Sequence, residues 1–192
     1  PVSSAASDVY KRQIDYRVPN QNQCKECHLK NDVIMPIGPK SRNLNFSIQY
    51  KEKIANQISY WMEKNMVETH IPLDLIANWA GGTAPLHAKA RAYLDINCGH
   101  CHMPGGSADT TGLNLNLTET NAMKLGIYKK PVAAGRASEG MKFSIVPGKP
   151  NESILLHRMD SLDPGVMMPE SGRKLTHSEG VALINDWIIS LK

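Results

Sequence analysis

Hydrophobic residues recur with helical spacing in several stretches of the chain, and polar stretches without a period separate them. The first such stretch, residues 47–66, predicts an amphipathic helix. Its apolar positions fall at i, i+4, i+7 and i+8 and form one stripe: Ile54, Ile58, Trp61 and Met62. Pro72 can open a short second helix that extends to Trp79. Gly81 and Gly82 then mark the end of this half of the chain.

The second half of the chain has a more regular pattern. Thr83 is suited to cap a helix that has Pro85 in its first turn. The buried face of this helix is expected to consist of Leu86, Ala90, Tyr93 and Leu94. A long loop rich in Gly, Asn and Thr follows and continues to about Pro150.

Two more helices are predicted near the C-terminus. Asn151 can cap the first of them, and its apolar or long side chains are Ile154, Leu155, Arg158, Met159 and Leu162. Thr176 and Glu179 have the spacing of a capping box for the last helix. The inner face of the last helix is expected to hold Val181, Ile184, Trp187, Ile188 and Leu191. Gly180 and Ala90 are small enough to let the last helix cross the helix after Thr83. Three histidines in or beside these helices are expected at the surface: His87, His157 and His177.

All four cysteines of the chain lie in two copies of the pattern Cys-x-x-Cys-His. In this pattern the two thiols form thioethers to a haem and the adjacent histidine becomes the proximal iron ligand. The two copies therefore predict two covalently bound haem c groups. The thioether residues would be Cys24, Cys27, Cys98 and Cys101, and the proximal ligands would be His28 and His102.

Other uses of paired cysteines explain the pattern less well. One zinc ion could take four thiolates, but the pairs lie about 70 residues apart, and a zinc site gives no reason for a histidine after each pair. A disulfide framework would need strained loops in a chain long enough to fold without it. A thioredoxin-like motif would need a βαβ unit, for which the pattern gives no sign.

The distal iron ligands are the next question. Met168, followed by proline and placed before the last helix, is expected to bind the second iron, with Met167 as its competitor. For the first iron we expect His70, about 40 residues after His28 and followed by Pro72. Several alternatives remain, including an open, five-coordinate iron; the competing residues are Met35, Met62, Met66 and His100.

The order of helix, haem motif, loop, helix, Met-Pro and final helix is that of the cytochrome c fold. We therefore expect an all-α protein with two cytochrome c-like haem units and long irregular loops. The C-terminal unit is expected to have a regular class I-type fold. The predicted boundaries are an N-terminal tail over residues 1–18, an irregular first unit over residues 19–82, and a cytochrome c domain over residues 83–192.

Composition restricts the partners. The formal charge of +4 comes without a Lys/Arg-rich run, so we expect no nucleic-acid binding. The sequence contains no run of 18 or more apolar residues, so we predict no membrane-spanning helix. The first residues lack the basic start and apolar run of a signal peptide, so we interpret the chain as a processed form. Because covalent haem attachment in bacteria takes place outside the cytoplasm, we expect a periplasmic or extracellular location.

Several segments resemble a family of exported bacterial dihaem cytochrome c-like proteins that mostly lack an assigned function. The resemblance extends over nearly everything after residue 14 and is marked at the C-terminal side by Met-Met-Pro-Glu-Ser-Gly-Arg, residues 167–173. It implies two haems and suggests no substrate. The segments that carry it include residues 15–24, 36–45, 90–102, 133–136, 146–150, 167–173, 179–184 and 187–188.

Two functions follow as hypotheses. The first is one-electron transfer between redox protein partners, which requires nothing catalytic of the side chains. The second is a haem enzyme, peroxidase- or oxidase-like, with an open distal site at the first haem. Three arginines near the loops either pair with haem propionates or are ordinary surface residues: Arg42, Arg136 and Arg173.

Overall fold

The computed structural model describes residues 15–68 and 75–191. Within these ranges the chain forms six α-helices and two small antiparallel sheets. The helices are α1 (Gln21–His28), α2 (Ser41–Leu44), α3 (Gln57–Glu63), α4 (Leu86–Asn97), α5 (Ile154–Asp160) and α6 (Ser178–Ser190). The strands are β1 (Leu29–Lys30), β2 (Val33–Ile34), β3 (Ser47–Gln49) and β4 (Ile54–Asn56). No helix of these ranges is long and apolar enough to cross a membrane.

The prediction of an all-α fold is wrong, because the first half of the chain contains two hairpins. Strand β1 pairs with β2, and β3 pairs with β4. Asn31 and Asp32, the two residues between β1 and β2, both have positive φ, 48° and 61°. A two-residue turn with this backbone matches the twist of paired strands, and Asn and Asp tolerate it best after Gly. The architecture is therefore mixed, with helices and two small sheets.

The helix predicted over residues 47–66 is formed only from Gln57 to Glu63. The residues before it belong to the hairpin of β3 and β4, in which Ile54 is 71% exposed. Asn56 ends that hairpin and caps α3, since its side chain accepts a hydrogen bond from the amide of Ser59 at 3.1 Å. Only Ile58 of the predicted apolar stripe is fully buried, at 2% exposure.

The region around the first haem motif is more regular than predicted. The first unit is expected to be irregular, yet helix α1 contains the entire first motif. Asn20 caps this helix in a capping box with Gln23, so these polar residues mark its start. The helix predicted from Pro72 begins outside the described residues, and no helix is present between Leu75 and Trp79.

The helices predicted in the second half are confirmed, although their caps differ. Helix α4 begins after Pro85, α5 begins after Ser153, and α6 begins after His177 without the predicted capping box. Helix α4 crosses α6 where the Tyr93 ring packs against Gly180. The buried core around this crossing consists of Ala90, Tyr93, Leu94, Leu115, Ile145, Leu156, Met159, Ile184, Trp187 and Ile188.

Two of the histidines expected at the surface also form hydrogen bonds with buried aromatic residues of the core. His87 and His177 are exposed, as predicted. However, the indole N–H of Trp187 donates to Nδ1 of His87 at 3.0 Å, and the hydroxyl of Tyr93 lies 3.0 Å from Nδ1 of His177. Buried Trp and Tyr need a partner for their polar atom, and these histidines supply it from the protein surface.

One buried carboxylate joins the two halves of the chain. Asp95, on the inner side of α4, has no exposed side-chain surface. Arg42 donates to both of its oxygens at 2.8 and 3.1 Å, and Lys40 donates at 2.7 Å. The amide of Leu117 completes the set at 3.0 Å. Burial opposes ionisation of Asp95, but the hydrogen bonds from Arg42, Lys40 and Leu117 outweigh it and lower its pKa.

We predict that Asp95→Ala strongly destabilises the fold. The change leaves the cationic groups of Lys40 and Arg42 without their carboxylate, and breaking such a buried pair costs about 3 kcal/mol. Thermal unfolding measures the effect. Glu63→Gln is the control, because the Lys53–Glu63 pair is exposed and screened by solvent, so the melting temperature should not change.

The same carboxylate gives a pH dependence. The folded-state pKa of Asp95 lies below its unfolded value of about 3.9. Its contribution to stability is therefore complete at neutral pH and is lost as the pH falls through the acidic range. The loss of stability on acidification should be smaller in Asp95→Ala than in the wild type. Parallel acid unfolding curves of the two proteins would contradict this assignment.

Candidate functional site

The second motif begins where helix α4 ends. Cys98 terminates the helix, with its amide donating to the carbonyl of Leu94 at 2.9 Å. The amide of His102 donates back to the carbonyl of Cys98 at 2.9 Å, so the five residues form one compact turn. A side chain at Gly99 would press on the backbone carbonyl of Asp95 at 2.8 Å. The glycine within this motif therefore permits the tight turn.

This turn lies at the wall of a cavity with a volume of ≈ 650 Å³. Cys98, Cys101 and His102 line it, as the sequence predicts for residues that hold one haem. Cavities that bind cofactors typically have a volume of about 300–1,000 Å³ and are mostly apolar. The apolar wall comes mainly from the long loop and from α5: Leu113, Leu115, Leu125, Ile145, Ile154, Leu155 and Met159.

The ring of His102 is fixed through Nδ1. This nitrogen lies 3.1 Å from Oγ1 of Thr111, whose own hydrogen is donated to the carbonyl of Ala108 at 2.6 Å. Because the Thr111 oxygen can then only accept, Nδ1 of His102 carries the proton and Nε2 keeps a free lone pair. Burial lowers the pKa of His102, which keeps the ring neutral. A neutral imidazole held by its other nitrogen is the form that binds a metal.

His28 of the first motif is held in the same manner. Its Nδ1 lies 2.9 Å from the carbonyl oxygen of Met35. A carbonyl can only accept, so Nδ1 carries the proton and Nε2 is again free. The hairpin of β1 and β2 brings Met35 back to His28, and the amide of Met35 also donates to the carbonyl of His28 at 2.7 Å. Both motifs thus present a histidine in the tautomer of a metal ligand.

Met168 lines the cavity together with His102, whereas Met167 is 7% exposed and is not among the lining residues. The backbone amide of Met168 donates to the carbonyl of Arg158 at 2.9 Å, and the guanidinium of Arg158 donates to the carbonyl of Val166 at 2.8 Å. These bonds hold the Met-Pro segment against helix α5. Of the two neighbouring methionines, the fold brings Met168 to the second motif.

Of the residues considered as distal ligands of the first iron, His100 lies beside the first motif, because one of its ring nitrogens is within 4.8 Å of Sγ of Cys27. His70 lies outside the described residues. The backbone carbonyl of Met35 accepts from Nδ1 of His28, and the Met35 side chain is 45% exposed. Met66 is 66% exposed, and Met62 is half-buried in α3. The sixth ligand of the first iron therefore remains a prediction from the sequence.

Two of the three arginines considered for propionates have protein partners instead. Arg42 binds Asp95, and Arg136 forms a pair with Asp163 in which both side chains are exposed. Arg173 differs, because it lines the cavity. It donates to the carbonyls of Met159 and Ser161, and its buried Nε has no hydrogen-bond partner within the described ranges.

The two motifs meet at one point. The Sγ atoms of Cys27 and Cys101 and a ring nitrogen of His100 lie within 4.8 Å of one another. The hydrogen bond from Cys27, with help from His100, lowers the pKa of the Cys101 thiol, and the same bond raises the pKa of Cys27. Of these two thiols, that of Cys101 is thus the more reactive nucleophile. The spacing of the motifs, about 70 residues apart, gives no sign of this contact.

Two residues of the site could not be identified from the sequence. Thr111 acts on His102 only because a short 3₁₀ turn, Asp109–Thr111, returns the loop to the motif. Glu26 occupies a position of Cys-x-x-Cys-His at which any residue is allowed, so the motif assigns it no role. Both depend on contacts between segments that carry no pattern of their own.

No family model, no curated protein and no solved structure matches the chain.

We predict that Met168→Ala changes the second haem alone. The oxidised protein should show the weak long-wavelength absorption band of Met–iron coordination, and this band should disappear in the variant. The potential of that haem should fall, because a thioether favours ferrous iron. The control is Met167→Ala, which should keep the band. Loss of the band in Met167→Ala with retention in Met168→Ala would show that the neighbour is the ligand.

Proposed function

We propose that the protein is a dihaem c-type cytochrome that carries single electrons between redox proteins outside the cytoplasm. The observation that carries the proposal is the pair of Cys-x-x-Cys-His motifs in which both histidines donate Nδ1–H to the protein. His28 donates to a backbone carbonyl and His102 donates to Thr111, so both keep Nε2 free. Two cysteines precede each histidine in the chain and could form the two thioethers to a haem.

The residues of the cavity fit a haem. Its wall is mostly apolar, and Arg173 brings to the cavity a buried N–H that has no partner among the described residues and that a propionate would satisfy. A haem, when bound, supplies one-electron iron chemistry. The chain would hold it by Cys98, Cys101 and His102, with Met168 as the distal ligand. Leu113, Leu115 and Ile145 exclude water from the cavity wall.

The contact between the motifs also supports an electron carrier. Cys27 and Cys101, which would each hold one haem, have their sulfur atoms within 4.8 Å. Two haems attached this close to each other would be suited to exchange electrons, whereas a haem enzyme needs only one haem. Redox proteins are therefore the expected partners, and the formal charge of +4 without a basic run gives no reason to propose nucleic acid.

A second candidate function rests on the same contact. Two thiols and an imidazole within 4.8 Å could bind a soft or borderline metal such as zinc. This candidate leaves Cys24, Cys98, His28 and His102 without a role, although both histidines are in the tautomer of a ligand. We therefore prefer the haem protein, and the composition of the purified protein distinguishes the two.

We predict two covalently bound haems per chain. Intact mass should exceed that of the polypeptide by two haems, and a denaturing gel should stain for haem. Replacing Cys98 and Cys101 together by alanine should leave one haem, because both thioethers of the second site are then lost. A mass equal to the bare polypeptide, or stoichiometric zinc in metal analysis, would reject the proposal.

We predict that His70 binds the first iron. His70→Ala should convert this iron to a high-spin form that binds carbon monoxide when reduced, because an open position replaces the imidazole. Spectra of the reduced protein with and without carbon monoxide measure this, and Met168→Ala serves as the comparison for the second iron. Wild-type spectra in His70→Ala would exclude this ligand. A wild-type first iron that is already open would instead support the haem enzyme.

A further inference from the structure

The first motif contacts the segment that carries Met168. The hydroxyl of Ser171, three residues after Met168, donates to Oε2 of Glu26 at 2.7 Å. The hydroxyl of Tyr16 donates to the carbonyl of Gly172 at 3.2 Å. Glu26 and Ser171 line the same cavity as Met168. Residues of the first half of the chain thus complete one edge of the second site.

The backbone of Glu26 contacts the loop that follows the second motif. Its carbonyl accepts a hydrogen bond from the hydroxyl of Ser107. The hairpin that follows the first motif adds a backbone bond, from the amide of Asn31 to the carbonyl of Gly105 at 3.0 Å. The backbone of Glu26 is therefore fixed against this loop, while its carboxylate reaches the Met-Pro segment.

The Met-Pro segment is held differently on its two sides. On the side of helix α5, the carbonyl of Arg158 accepts from the amide of Met168, and its guanidinium donates to the carbonyl of Val166 and to the carboxylate of Glu170. Towards the first motif, the carboxylate of Glu26 binds the Ser171 hydroxyl. A hydrogen bond to a charged acceptor is stronger than a neutral one. Removing it leaves the segment bound mainly from the α5 side.

We propose that Glu26 is a positioning residue for the distal ligand of the second iron. By holding Ser171, it keeps the Met-Pro segment at the cavity, so that the Met168 thioether stays on the iron. The first attachment motif thereby controls ligation at the second site. The inference rests on the proposed function, because it requires a haem in the cavity and Met168 as its ligand.

The test uses the oxidised holoprotein and cyanide, which must displace Met168 to bind the second iron. Glu26→Ala should weaken the long-wavelength Met–iron band and accelerate cyanide binding about five-fold, the equivalent of one hydrogen bond. Glu26→Gln should restore both readouts, since its amide oxygen can accept from Ser171. Lys25→Ala, an exposed position of the same motif, is the matched control and should behave as the wild type.

A double-mutant cycle separates positioning from general destabilisation. Ser171→Ala should reproduce the effect of Glu26→Ala, and the double variant should be no faster with cyanide than either single variant. A wild-type cyanide rate in Glu26→Ala, or additive effects in the double variant, would overturn the inference.

The same series distinguishes this inference from the proposals on which it rests. A protein without covalent haem overturns the proposed function and the inference together. A band that survives Met168→Ala overturns the choice of ligand and the role of Glu26, but it leaves a dihaem cytochrome. A band that depends on Met168 but does not respond to Glu26→Ala or Ser171→Ala overturns the inference alone.

Discussion

Where helix α4 crosses helix α6, the ring of Tyr93 occupies the space that a side chain at position 180 would need. Glycine at this position lets the two helices approach, and the buried side chains of Leu94, Ile184 and Trp187 pack around the contact. The crossing fixes the end of α4, and the second motif starts at that end. Everything that depends on the position of Cys98 and His102 therefore depends on this one contact.

The first half of the chain is organised around the second half. Its own elements are short, and its hairpins expose Val33, Ile34 and Ile54 to solvent. It is anchored instead by the buried carboxylate of Asp95 and by the contacts of Glu26 and Asn31 with the loop that follows the second motif. A small unit with little core gains stability by polar contacts to a larger one. The same contacts bring the two Cys-x-x-Cys-His motifs together.

The proposed electron carrier would bind its haems through side-chain nitrogen atoms that the hydrogen bonds within the described residues leave unused. Both histidines use Nδ1 within the protein and keep Nε2, and Arg173 keeps a buried N–H at the cavity. Polar atoms without partners are costly in a protein interior. Of these residues, His102 and Arg173 line one apolar cavity, which indicates where a bound group would satisfy their free atoms.

The sequence by itself determined the local features. The Cys-x-x-Cys-His motifs identified the candidate haem-binding cysteines and histidines, because covalent attachment of a haem and binding of its iron would need residues that are adjacent in the chain. Helical periodicity located α4 and α6. It misassigned residues 47–56, because a hairpin there depends on pairing between segments rather than on periodicity. The proline after Met168 already favoured it over Met167, but only the tertiary structure decided that Met168 lines the cavity and Met167 does not. The same holds for the tautomers of His28 and His102 and for the contact of Cys27 with Cys101, since each depends on residues distant along the chain.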